Sequence, residues 1–147
     1  MVVLRYIATL GFIGHLPLAP GTWGSLVAFA FFILLKPGPY IHVIMVLILI
    51  PVGVVCSDHA EKFFGIKDSS HIVIDEFCGY LFSVVLFPFS YVNALAAFFL
   101  FRFFDILKPF PIKKIEYFLS GGKGIMADDI MAAIYTNMIL QIWKLIH

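Results

Sequence analysis

The sequence predicts an all-α, polytopic membrane protein: a small helical bundle with about three to five membrane-embedded segments and its catalytic loops on one face. Three observations predict it. The 147 residues are 62% hydrophobic and only 13% charged, with seventeen Phe and a mean hydropathy of +1.02. Soluble domains average about 45–50% apolar and about 25% charged residues, and a chain this short has too little interior to hide the excess. Five apolar runs recur along the chain: Trp23–Leu35, Tyr40–Cys56, Phe77–Phe87, Tyr91–Phe104 and Ile130–Ile146. All nine acids fall in three short stretches, each against such a run. One compact domain over residues 1–147 is expected.

The runs follow in order. Pro17-Leu18-Ala19-Pro20-Gly21-Thr22-Trp23-Gly24-Ser25 precedes the first. Its prolines and glycines oppose a regular helix, so it reads as a stiff loop whose Thr22 and Ser25 cap the helix that follows. Free N–H groups at that helix start suit a phosphate, which makes Thr22 and Ser25 candidate substrate contacts. Lys36-Pro37-Gly38-Pro39 is a tight turn into the second run. Pro88 and Ser90 separate the third and fourth, which reads as an antiparallel hairpin. Several runs are shorter than the roughly 20 residues that span a bilayer, so either all five cross or three cross with a re-entrant hairpin.

Sidedness follows from the basic residues. If all five runs cross, one face takes Arg5, Lys62, Lys67, Arg102, Lys108, Lys113, Lys114 and Lys123, and the other only Lys36 and Lys144. The positive-inside rule puts the richer face in the cytoplasm. That face also takes Asp58, Glu61, Asp68, Asp75, Glu76, Asp105, Glu116, Asp128 and Asp129. Acids beside hydrocarbon are costly unless they meet a cation, a metal or water, so their convergence marks a functional site.

Three segments carry the chemistry. Asp75 and Glu76 open the third run. A helix dipole accommodates one acid there, whereas two repel, and a divalent cation resolves the repulsion. Arg102, Asp105 and Lys108 are spaced three apart on one helical face that ends before Pro109. Two cations around one acid suit a phosphate beside a metal ligand, although a salt-bridge set alone has the same pattern. Gly121-Gly122-Lys123-Gly124 leads into Asp128 and Asp129, where one acid of the pair is expected to cap the helix and the other to bind metal. The glycines and Lys123 could cradle a phosphate, though without P-loop spacing. Hard carboxylate oxygens without a Cys or His cluster point to Mg²⁺.

Other classes fit less well. A net charge of +1 without a basic block gives no indication of nucleic acid. Cys56 and Cys78 match no metal or redox spacing and read as small buried hydrophobes. The short apolar stretch after Arg5 is interrupted by Gly and does not read as a signal peptide. The main alternative is a small cation or proton transporter using the clustered carboxylates, but the interiors of the five runs contain no acid to line a midplane pathway.

The blocks PLAPGTWGS (Pro17–Ser25), IVIDEFCGYL (Ile72–Leu81), FRFFDILKPFPI (Phe101–Ile112) and GGKGIMADD (Gly121–Asp129) resemble, in order, those of the bacterial phosphatidylglycerophosphatase A family. The resemblance implies Mg²⁺-dependent hydrolysis of phosphatidylglycerophosphate to phosphatidylglycerol and phosphate, by an all-helical protein of the bacterial cytoplasmic membrane. It implies that Asp75, Glu76, Asp105, Asp128 and Asp129 are the metal and catalytic carboxylates, with Asp129, Asp105 and Glu76 closest to the chemistry. Arg102 and Lys108 become the phosphate contacts.

Overall fold

A computed structural model describes residues 1–146, apart from the side chain of Glu116, which lies outside the described residues. Among them the chain is all-helical: α1 (Val2–Ala8), α2 (Pro20–Leu35), α3 (Pro39–Phe64), α4 (Ile74–Ser83), α5 (Tyr91–Leu107), α6 (Ile112–Phe118) and α7 (Gly122–Ile146), with a 3₁₀ turn at Ile13–His15.

Each apolar run forms a helix, with three corrections to the expected boundaries. Helix α2 starts at Pro20, inside the segment expected to resist helix. Proline costs little at the first helical position, because its missing N–H would be unpaired there anyway. Ala19, at φ 55°, precedes the helix and no side chain caps it, so Thr22 and Ser25 lie within the first turns and are not caps. The third run does not continue to Phe87, because α4 ends at Ser83. Its terminal carbonyls are taken up by α7: Asn137 Nδ2 donates to Ser83 O at 3.0 Å and to Val85 O at 2.9 Å. Helix α7 begins at Gly122, so Asp128 and Asp129 sit in its second turn and cap nothing.

The ten-residue α4 is the centre of the bundle. Eight of its residues are buried, and it packs on α7, α2, α3 and α5. At about 15 Å it is too short to cross a bilayer. Its expected hairpin with α5 exists as a contact, pinned where Tyr80 Oη donates to Ala94 O at 3.0 Å. Cys56 and Cys78 are free and buried, as their composition suggests.

Helix α3 has 26 residues and is the one described helix long and apolar enough to cross a membrane. Helix α2 is a shorter apolar helix. Large apolar side chains face outward on several helices, among them Leu47 on α3, Phe99 on α5 and Trp143 on α7. Such a belt suits hydrocarbon rather than water.

Candidate active site

Three helices deliver the acids to one place. The first turn of α4 carries Asp75 and Glu76, and the second turn of α7 carries Asp128 and Asp129. The two helices approach closely because position 79 lacks a side chain: a Cβ there would overlap the Phe101 ring and come within 3.3 Å of Asp129 Cβ. Asp75, Glu76 and Asp129 each offer a carboxylate oxygen, all within 4.8 Å of one another. Asp75 Oδ1, Glu76 Oε2 and Asp129 Oδ2 are buried and accept no hydrogen bond.

The other two predicted acids flank this group, each with its own cation. Arg102 Nη1 donates to Asp105 one turn along α5. Lys108, which ends α5 in a left-handed conformation before Pro109, donates to Asp128 Oδ2 at 2.5 Å. The second oxygen, Asp128 Oδ1, accepts the Asp129 N–H at 3.0 Å. The expected Arg102–Asp105–Lys108 set is therefore split: Lys108 reaches across to α7.

Burial raises all four central acids. It pushes Glu76 up to about 7, with the Asp105 charge adding to it and Arg102 pulling back. It lifts Asp128 to about 6 despite Lys108. Asp75 and Asp129 stand well above the ordinary carboxylate range, from burial first and from their acidic neighbours second. Four acids held this way cannot all ionise unless positive charge joins them.

The first turn of α2 closes one side. A Cβ at Gly21 would overlap Glu76 Oε1 and stand 3.2 Å from Arg102 Nη1, so the glycine lets this turn approach the centre without displacing the Glu76 carboxylate. Thr22 on the same turn is partly exposed. Ser25 is fully buried, and its hydroxyl is already donated to Gly21 O at 2.9 Å. That commits its proton to the backbone.

Over residues 6–144 the sequence matches the family profile described as Phosphatidylglycerophosphatase A. The chain belongs to the phosphatidylglycerophosphatase A family. It is 41% identical over 133 residues to Phosphatidylglycerophosphatase A of Haemophilus influenzae, across 86% of this chain and 82% of that protein. It is 36% identical over 129 residues to Phosphatidylglycerophosphatase A of Escherichia coli, across 86% of this chain and 75% of that protein. No solved structure matches.

The centre of this phosphatidylglycerophosphatase A family member fits a hard divalent cation. Three residues each bring a carboxylate oxygen to one place, each of them also has a buried oxygen without a partner, and no thiol or imidazole belongs to the group. Asp105 and Asp128 are within electrostatic reach of it. Lys123 is exposed, and its glycines serve packing. A Cβ at Gly122 would overlap Val54 O, so that residue lets α7 lie on α3. One contributor escapes a reading of the sequence: Gly21 reads there only as a loop residue, although its place beside Thr22 is a usable signal. Asp68, pooled with the other acids in the sequence but given no role of its own, sits in an exposed turn and its charge acts on Asp75 and Asp128.

Proposed function

We propose that the protein is a Mg²⁺-dependent phosphatase that hydrolyses phosphatidylglycerophosphate to phosphatidylglycerol and inorganic phosphate at the membrane surface. As a member of its family it is a phosphoric monoester hydrolase. The observation that carries the metal requirement is the set of three buried, unpartnered carboxylate oxygens on Asp75, Glu76 and Asp129. Asp75, Glu76 and Asp129, with Asp105 beside them, would hold the ion, which would neutralise their charge and supply polarisation of the phosphomonoester.

The chain's own groups divide the remaining work. Asp129 is the general base that takes a proton from the attacking water: neither of its carboxylate oxygens accepts a hydrogen bond among the described residues, so one can hold the ion while the other faces the water. Asp128 is the poorer base, since both its oxygens already accept hydrogen bonds. As the water oxygen joins phosphorus, the P–O bond to the glycerol breaks and the alkoxide leaves with a proton returned from the site. Arg102 has a second donor for the phosphoryl oxygens, since its buried Nε has no partner. Lys108 adds positive charge from the opposite side. Thr22, partly exposed and next to the glycine that borders Glu76, is a further candidate contact for the phosphate.

The outward apolar faces hold the protein in the bacterial cytoplasmic membrane as a multi-pass protein, with the acid-bearing helix ends toward the cytoplasm. Lipid extraction after incubation with phosphatidylglycerophosphate tests the assignment. Equal amounts of phosphatidylglycerol and free phosphate are expected. Formation of phosphatidic acid and glycerol phosphate instead would overturn it, because a different bond would have broken.

A further inference from the structure

The carboxylate centre accounts for one phosphate of the substrate. The proposed lipid carries another, the diester one glycerol unit away, and the cations of the centre, Arg102 beside Asp105 and Lys108 beside Asp128, are already assigned to the first. A different lysine stands just outside.

The loop after α3 turns through two left-handed residues, Gly65 at φ 66° and Asp68 at φ 50°. Glu61 on the last turn of α3 holds it, accepting the Asp68 N–H at 2.9 Å. Lys67 lies between these fixed points. It lines a surface cleft of about 290 Å³ together with Glu61, Lys62, Ser120 and Gly121. Lys67, Glu61 and Gly121 also line the narrow cleft that continues to Asp128. The two clefts share Glu61, Lys67 and Gly121, so one path of surface grooves runs past Lys67 as far as Asp128, the sequence neighbour of Asp129. Lys62 on this path is paired with Asp58 at 2.7 Å. Lys67 is exposed and forms no ion pair among the described residues. Lys123 lines neither cleft.

Resting on the phosphatase reading, the geometry points to Lys67 as the residue that binds the phosphodiester of the lipid headgroup. It thereby selects a phosphomonoester joined to a phosphodiester lipid over a soluble phosphomonoester. An ammonium suits this task as a mobile point charge, and the Glu61–Asp68 hydrogen bond keeps its backbone at the path.

Two measurements on the purified protein test this. The first is calorimetric binding of dihexanoyl phosphatidylglycerol, which carries the diester and no monoester. The second is the ratio of kcat/KM for short-chain phosphatidylglycerophosphate to that for glycerol 3-phosphate. Lys67→Ala should weaken the binding and lower the ratio, each about tenfold, as loss of one charge-assisted hydrogen bond at an exposed site does. Lys67→Arg should keep both within about threefold of the native protein, because the charge remains. Unchanged binding, or an equal loss toward both substrates, would overturn the role of Lys67. Native protein that hydrolyses neither substrate but binds phosphatidylglycerol through Lys67 would instead refute the phosphatase reading and leave the diester contact standing.

Discussion

The ammonium of Lys108 lies 2.5 Å from Asp128 Oδ2 and ties the end of α5 to the second turn of α7. With its other oxygen on the Asp129 N–H, Asp128 is fully engaged, whereas its neighbour Asp129 keeps a buried oxygen open. Adjacent residues of the same type thus have different work.

That difference predicts unequal mutants. Asp129→Asn should lower kcat by about 10³-fold or more, because base and cation ligand are lost together. Asp128→Asn should cost less, roughly 10- to 100-fold, through a displaced Lys108. Steady-state phosphate release from both variants checks the order. An Asp128 variant worse than the Asp129 variant would reverse the assignment.

Asp105→Asn should abolish turnover while membrane insertion and helix content stay intact. The change removes the acceptor of Arg102 and a charge that acts on Glu76 and Asp129. Near-normal turnover by a correctly inserted variant would remove Asp105 from the site.

Gly21→Ala should keep the fold and lose function. The new methyl overlaps Glu76 Oε1, so the carboxylate must swing away from Asp75 and Asp129. A displacement of about 1 Å at such a centre costs on the order of 100-fold in rate. Comparison of kcat/KM with circular dichroism separates this from unfolding; full activity would mean the α2 turn does not border the centre.

For the metal-free protein, the raised acids predict a stability that falls with pH. Glu76 titrates at about 7 and Asp128 at about 6, whereas unfolded carboxyls titrate near about 4. Between these values the folded state holds more protons than the unfolded state. Stability is therefore fully present below about pH 4 and lost as pH rises through the folded values. In EDTA the melting temperature should be higher at pH 5 than at pH 8, and an opposite slope would contradict the buried acid cluster.

The acid-bearing segments are legible in the sequence because a carboxylate beside a long apolar run has few tolerable fates. That ground marks all nine acids; the adjacent pairs Asp75–Glu76 and Asp128–Asp129, and the spacing of Asp105 between Arg102 and Lys108, single out these five. Their division of labour is not legible there. It depends on Lys108 reaching α7 rather than staying on its own helical face. The glycines and prolines around Pro20 obscure a helix start that tertiary packing stabilises. The apolar character of Phe77–Phe87 does not distinguish a membrane-facing helix from the buried α4, since both exclude water.

Phosphate release from phosphatidylglycerophosphate by the native protein, in Mg²⁺ and then in EDTA, tests the central claim most directly. The account predicts release that requires Mg²⁺, stops in EDTA, returns on readdition, and is absent from Asp129→Asn throughout. Undiminished release in EDTA by folded protein would contradict it, because the three open carboxylate oxygens would then have no cation to hold.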